Sequence, residues 1–383
     1  MKEFVFQVDE LLPKLGIVAG VLANKNVMPT LNCARFDISA SGVATITTSD
    51  NVTWVSVKQD VETKSEQDFS FCVSCKDLLQ TLKNLTGREV VITLNEEKNI
   101  LQASHISGNF TLPYENAENF PPAKYEEGAA HRFNISAQGL ANAVANVEYA
   151  VCSNEARIVM CSIHFDVENN HVITVASDGL KLVRYTQDIA ENIEEPFSFN
   201  LPKKPAHLLP TLLNGNEGFV QVVCTETTLG IKAETFTLST RLQDGKYPDY
   251  NRVIPAKDTC THNYFVDKGA ICDALKRLLP LGNAATPLVV VSFKGSELTL
   301  TTENTDYSKS AKEHLTCTAP NEEDFVIGFN GAFLLQALGN VQDNNVALSC
   351  VDSNRAALIC PQNQAQGIDY TSILLPLLIK LKL

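Results

Sequence analysis

The chain lacks most of the features that mark a secreted, membrane-bound or catalytic protein. No secretory signal is visible, because Lys2 and Glu3 open the sequence and no long apolar run follows. Its most apolar stretch, 373–383, is too short to span a bilayer and contains Pro376, Lys380 and Lys382, so no membrane contact is expected. No Gly-x-Ser-x-Gly, phosphate-binding loop or His-Glu-x-x-His occurs. The eleven cysteines are scattered singly, and an odd count without a framework implies reduced thiols and a cytoplasmic setting. Cys72 and Cys75 form the one close pair. No second pair or nearby histidine follows at ligand spacing, which favours two packed thiols over a zinc site, and no cofactor is expected. Four Asn-x-Ser/Thr sites, at Asn51, Asn84, Asn109 and Asn134, carry little weight in such a setting. Positive charge is also short: 31 Lys and Arg against 44 Asp and Glu leave a net −13. Taken alone, that argues against nucleic acid, whose phosphates call for local Lys and Arg.

What the chain has is repetition. Phe6, Phe133 and Phe265 each open a helix-like apolar run, 127 and then 132 residues apart. A second Phe-led start recurs at Phe71, Phe199 and Phe329, spaced by 128 and 130. Between them lie Thr48-Ser49-Asp50, Ala176-Ser177-Asp178 and Thr302-Glu303-Asn304. Three landmarks in one order at one period mean three copies of one domain, bounded at about 1–124, 128–255 and 257–383.

Each copy reads alike. A first helix is expected over 9–22, 136–147 and 267–279, with Asp9, Ser136 and Asp267 as N-caps. Alternating strands follow, such as 43–47 and 172–175. A second helix is expected over 74–85, 203–213 and 331–341, where Pro210 should break or kink the middle one. Hairpins close the copies at 90–94 with 100–103, 220–224 with 229–233, and 346–351 with 356–359. Two helices on one side of antiparallel sheet, three times over, is an α+β architecture.

Taken with their flanks, the helical segments 9–25, 74–88, 136–148, 202–213, 267–279 and 331–341 together carry +4, so the remaining residues carry −17 against the overall −13. Lysine-rich helix surfaces are often merely solvated. The functional reading is that one face of each domain offers phosphate contacts while the rest repels DNA.

Several segments carry a family resemblance. They are the threefold Phe–helix–strand–helix repeat, the segment Ala176-Ser177-Asp178-Gly179-Leu180-Lys181-Leu182, and the run from Leu242 through Gly245-Lys246-Tyr247-Pro248-Asp249-Tyr250 to Pro255. In these the whole chain resembles the bacterial replicative sliding clamp, the beta subunit of DNA polymerase III. The resemblance implies three tandem DNA-clamp domains, each two helices packed on antiparallel sheet. It implies a head-to-tail homodimeric ring whose helices line a hole for double-stranded DNA, bound without regard to sequence. Lys25 matches a basic DNA-facing position of the family, while Lys83, Arg88, Lys203, Lys204, Lys276 and Arg277 are candidates by helix location. By fold analogy, Leu78, Leu82 and Phe110 lie toward the other chain.

The resemblance also implies a pocket for a short motif, roughly Gln-x-x-Leu-x-Phe. The motif is carried by the replicative polymerase catalytic subunit, the clamp-loader subunit, other polymerases and repair proteins. Its walls would be Met160, Ser177, Gly179, Leu180, Lys181, Leu182, Pro248, Arg252, Val253, Ile373, Leu375, Pro376 and Leu377. Apolar walls suit the Leu and Phe, and a few polar groups would orient the peptide. Read without the resemblance, Met160, Leu182 and Val253 are plain core. The chain departs from the family where Leu180-Lys181 replaces a common His-Arg, and where Leu378 stands in place of an arginine. Lys380 to Leu383 extend past the usual end.

Two rival readings remain. Asp50, Asp178 and the pair His164 and Asp166 suggest acid–base chemistry, but a repeated Ser-Asp at a strand end is turn chemistry, and His164 sits in a strand as a structural residue would. An acidic protein-binding adaptor or DNA mimic would explain the net −13 but not the positive helices.

Overall fold

The computed structural model describes residues 2–23, 26, 28–85, 88–123, 131–320 and 324–379. The first third runs β1 (Lys2–Gln7), α1 (Val8–Ala19), β2 (Cys33–Ile38), β3 (Val43–Ser49), β4 (Thr53–Asp60), β5 (Glu62–Thr63), β6 (Phe69–Ser74), α2 (Cys75–Leu82), β7 (Glu89–Asn95), β8 (Ile100–His105) and β9 (Gly108–Asn116). The middle third runs β10 (His131–Ser136), α3 (Ala137–Ala145), β11 (Ser162–Ser177), β12 (Lys181–Pro202), α4 (Lys203–Leu213), β13 (Phe219–Cys224), β14 (Thr228–Lys232) and β15 (Phe236–Arg241). The last runs β16 (His262–Asp267), α5 (Lys268–Leu278), β17 (Leu288–Lys294), β18 (Glu297–Asn304), β19 (Lys309–Thr316), β20 (Phe325–Asn330), α6 (Gly331–Gly339), β21 (Asn345–Cys350), β22 (Ala357–Pro361) and β23 (Ile368–Leu374).

Two compact units result. One holds Met1–Asn142 with Lys204–Gln243; the other holds Ala143–Lys203 with Asp244–Leu383. In the first, a 13-stranded antiparallel sheet passes from the first copy into the middle one where β15 pairs with β4. Thr53 and Thr240 share a hydrogen bond of 2.9 Å across that seam. Helix α1 packs on α2 and against β3 and β4. The core beneath them is aromatic: Phe36 stacks on Phe71 at 5.0 Å, with Phe4 and Phe6 at its flanks. In the second unit, β11 and β12 form a long hairpin, β12 pairs with β23, and the six-stranded sheet continues through β22 and β21 to β16. A four-stranded sheet, β19-β18-β17-β20, lies beside α5, which packs on α6.

The repeat is present with its registers corrected. Every first helix follows a strand, and the buried aromatic four residues before the helix start is Phe4, Phe133 or Tyr264. These three face Ile92, Val222 and Leu348 on the partner strand. Taking Phe6 for Phe4 is a two-residue slip that keeps the inward face. Taking Phe265 for Tyr264 is a one-residue slip, and Phe265 is accordingly half-exposed. Ile327, not Phe329, stands four residues before α6 as Phe71 and Phe199 do before their helices, and both Ile327 and Phe329 are buried.

Caps follow the expected chemistry in two of the three first helices. Asp267 accepts from Ala270 N–H at 2.6 Å and Ser136 from Gly139 N–H at 3.0 Å. Asp9 is inside the first turn of α1, whose cap position is Gln7 without a side-chain bond. Helix α4 runs through Pro210 to Leu213, and α1 runs through Pro13. A proline forfeits one backbone bond, and in α4 the buried Leu209, Leu212 and Leu213 anchor both sides of it. Leu78 and Leu82 are buried in their own unit, and only Phe110 of that trio is part-exposed.

All eleven cysteines are free thiols, ten buried and Cys161 half-buried. Burial pushes Cys72, Cys75, Cys224 and Cys350 up to about 12. No cluster of His, Cys, Asp or Glu able to hold a metal ion occurs among the described residues. In the native protein, a thiol-disulfide reagent should modify Cys161 alone. Cys161→Ser should remove that reaction, and the ten other thiols should react only on denaturation, as counted by absorbance.

Candidate functional site

The segment 177–181 is a tight turn joining β11 to β12. Asp178 Oδ1 accepts from the N–H groups of Leu180 and Lys181 at 2.8 and 2.9 Å. Ser177 Oγ accepts from Gly179 N–H and donates to Lys181 O. Gly179 has φ +89°, a conformation that strains a residue with a side chain, so the turn favours glycine. Asp50 caps the equivalent turn of the first copy through Val52 and Thr53 N–H. These aspartates do turn chemistry, as the strand-end reading expected.

At this turn the second unit opens a cleft of about 290 Å³. Strand β12 sets Leu182 opposite Ile373 of β23, and Leu375 N–H donates to Leu180 O at 2.9 Å. Met160 adds a flexible wall, and Pro248 and Val253 close the far side. Ser177, Gly179, Leu180, Lys181, Leu182, Ile373 and Leu375 join them in the lining. Tyr247, Asp249 and Tyr250 also line it, and residue-by-residue reading missed them although they lie in the Gly-Lys-Tyr-Pro-Asp-Tyr run. Leu180, Val253 and Leu375 are 53%, 54% and 41% exposed, so apolar surface faces solvent where a peptide would lie.

Three expected wall residues, Arg252, Pro376 and Leu377, fall outside the lining. Arg252 turns to Asp249, Nε to Oδ2 at 2.8 Å, and is otherwise solvated. Leu377 leaves β23 and donates its N–H to Gly328 O at 2.8 Å, carrying Pro376 away from the cleft. Lys181 is in the wall but buried, its Nζ 2.7 Å from Asp178 Oδ2 and 4.0 Å from the centre of the Phe333 ring. Its charge is therefore neutralised inside the wall, and the cleft surface is almost wholly apolar.

The candidate DNA contacts divide by partner. Lys25 and the tail 380–383 lie outside the described residues. Lys83, Arg88 and Lys203 are exposed and make no ion pair among the described residues. Lys204 is held by Asp50 Oδ2 at 2.6 Å and by Val21 O. Lys276 pairs with Asp273 at 2.9 Å on its own helix. Arg277 makes a two-bond contact with Glu313 on β19, at 2.9 and 2.8 Å, which directs it toward the sheet. These three are weaker candidates than helix location alone implied.

Behind the cleft, Asp166 accepts from Tyr250 O–H at 2.7 Å and faces His164 Nε2 at 3.1 Å. Burial pushes its carboxyl up, but the hydrogen bond and charge of His164, with the Tyr250 bond, outweigh this and hold it below the ordinary value.

Tandem α+β domains joined by shared sheets, with one apolar cleft at a strand seam, define a scaffold of clamp-type domains. The chain belongs to the DNA polymerase III beta subunit family: the family's N-terminal domain matches residues 2–124, its central domain 134–249 and its C-terminal domain 251–376. Curated relatives include the beta sliding clamp of Haemophilus influenzae, 26% identical over 93% of this chain and 95% of its own. That of Pseudomonas putida is 24% identical over 98% and 99%. Among solved structures, a Pseudomonas aeruginosa sliding clamp bound to griselimycin superposes with a TM-score of 0.90 at 22% identity, covering 99% of this chain and 100% of that one. The Thermotoga maritima beta subunit gives 0.87 at 24% over the same shares.

The folded value of Asp166 lies below the unfolded one. Its contribution to stability is therefore complete above about pH 3.9 and is lost as pH falls through the folded value. Asp166→Asn should cost about 1–2 kcal/mol at neutral pH and flatten the further loss below about pH 4. Urea unfolding from pH 7 down to about pH 3 measures both.

Proposed function

We propose that the chain is a DNA sliding clamp, a non-catalytic processivity factor. Two chains close head to tail into a ring around double-stranded DNA, with domains at 1–124, 128–255 and 257–383. The link to DNA is topological, so phosphate contacts need only be weak and indifferent to sequence. The observation that carries this reading is the match of three family domains, in order, over residues 2–376. The sheets shared between consecutive copies support it, since a wall continued across domains leaves few free edges. An acidic adaptor without ring topology is not favoured: only the net charge suggests it.

The cleft is the docking site for partner peptides carrying Gln-x-x-Leu-x-Phe. Its partners are the replicative polymerase catalytic subunit, the clamp-loader subunit, other polymerases and repair proteins. A relative solved with griselimycin bound is in keeping with a ligand-accepting clamp surface. The setting is cytoplasmic, and no described helix is long and apolar enough to cross a membrane.

On circular primed DNA, the protein with its loader and polymerase should lengthen the product made per binding event. Unchanged product length would end the assignment. Leu375→Asp should abolish peptide binding, read by fluorescence anisotropy, while leaving the thermal midpoint within a few degrees, because Leu375 is partly solvated. Replacing Lys83, Arg88 and Lys203 together by Ala should lower the salt slope of DNA retention by about 2–3, since each phosphate left without its cation removes close to one unit.

A further inference from the structure

A polar cluster lies directly behind the cleft. His164 and Asp166 are two residues apart on β11 and so share a face of the strand. His164 Nδ1 is 2.8 Å from Asn200 Oδ1 on β12. The orientation of that amide is fixed by its Nδ2, which donates to Gly245 O at 2.8 Å, since a carbonyl can only accept. The imidazole stacks on Tyr247 with ring centres 4.7 Å apart and planes 10° from parallel. It meets Tyr250 edge-on at 6.2 Å. Tyr250 in turn donates to Asp166 Oδ2, while Asp166 Oδ1 faces His164 Nε2. Tyr247 and Tyr250 line the cleft; His164, Asp166 and Asn200 do not.

We propose that His164 and Asp166 are positioning residues for the cleft: one ring and one carboxylate together fix both tyrosine walls in the shape that receives a partner peptide. The inference rests on the reading of the cleft as a peptide site. The segment bearing the tyrosines has little regular structure of its own, only the short turn Tyr250–Arg252. An apolar cleft binds well when its walls are already in place, because ordering them on binding costs affinity. A histidine on the buried strand supplies what an aliphatic residue cannot, a flat face for Tyr247 and two ring nitrogens within hydrogen-bond reach of polar partners on two strands. Fixed walls also decide which apolar side chains the cleft admits, so the pair sets selectivity as well as affinity.

The test is anisotropy titration of a fluorescent Gln-x-x-Leu-x-Phe peptide into the full chain, with thermal midpoints measured in parallel. Tyr250→Phe removes only the hydroxyl, and His164→Leu removes the stack and both bonds. Each should weaken peptide binding about tenfold, and the double variant should be little worse than either alone, because both act through one network. Wild-type affinity in both variants, losses that multiply in the double variant, or losses that merely track the thermal midpoint would each overturn the proposal. Leu375→Asp separates the two levels. If it leaves binding intact, the cleft reading fails and the proposal with it. If it abolishes binding while Tyr250→Phe and His164→Leu do not weaken it, only the positioning role falls.

Discussion

The pairing of β12 with β23 is the constraint on which the functional surface depends. These strands are almost two hundred residues apart in the chain, yet their ladder sets Leu182 against Ile373 and Lys181 against Leu374. The β11–β12 turn then overhangs the end of β23, and the backbone bond from Leu375 to Leu180 extends the seam by one step beyond the strand. A slip of β23 by one residue along that ladder would turn its apolar residues away from the wall that Leu182 lines. The cleft is thus a product of register, and the aromatic segment at 247–250 closes a groove that the strands already define.

Much of this was legible in the sequence because it follows from local chemistry. Asp267 and Ser136 read as caps and act as caps, and the three closing hairpins lie where alternation placed them. What local chemistry cannot report is tertiary override. Helix α4 tolerates Pro210 because its leucines are buried on both sides, and α1 begins after Gln7 without a side-chain cap. The repeat itself was legible only to within a residue or two. Phe4 and Phe6 share a face, so hydrophobicity does not distinguish them, and Tyr264 next to Phe265 offers two aromatics of opposite facing. In the cleft, the resemblance located ten of the lining residues; Tyr247, Asp249 and Tyr250 escaped because the run that holds them served to carry the resemblance and was not read residue by residue as a wall.

Charge behaves similarly. Counting lysines and arginines by helix identifies a more positive surface within an acidic protein, but the count is blind to where each side chain ends. Lys204, Lys276 and Arg277 are engaged by carboxylates of their own units, whereas Lys83, Arg88 and Lys203 make no such pair among the described residues. Exposed pairs of this kind contribute little to stability, so their effect is chiefly to thin the positive field. A thin field suits a protein that must hold a polyanion loosely, because each additional tight phosphate contact would raise the friction of movement along it.

The seam between β4 and β15 has a consequence for how the chain can be divided. Genes built by duplication suggest cutting at the repeat boundaries. The compact units, Met1–Asn142 with Lys204–Gln243 and Ala143–Lys203 with Asp244–Leu383, run out of phase with those boundaries by half a repeat. An excised first repeat would carry β4 with one raw edge, five residues of backbone from Thr53 to Val57 left without the ladder that β15 provides. Such an edge is a template for self-association. The repeat and the compact unit are therefore different objects, and fragments designed on the first would invite ribbons of mispaired copies.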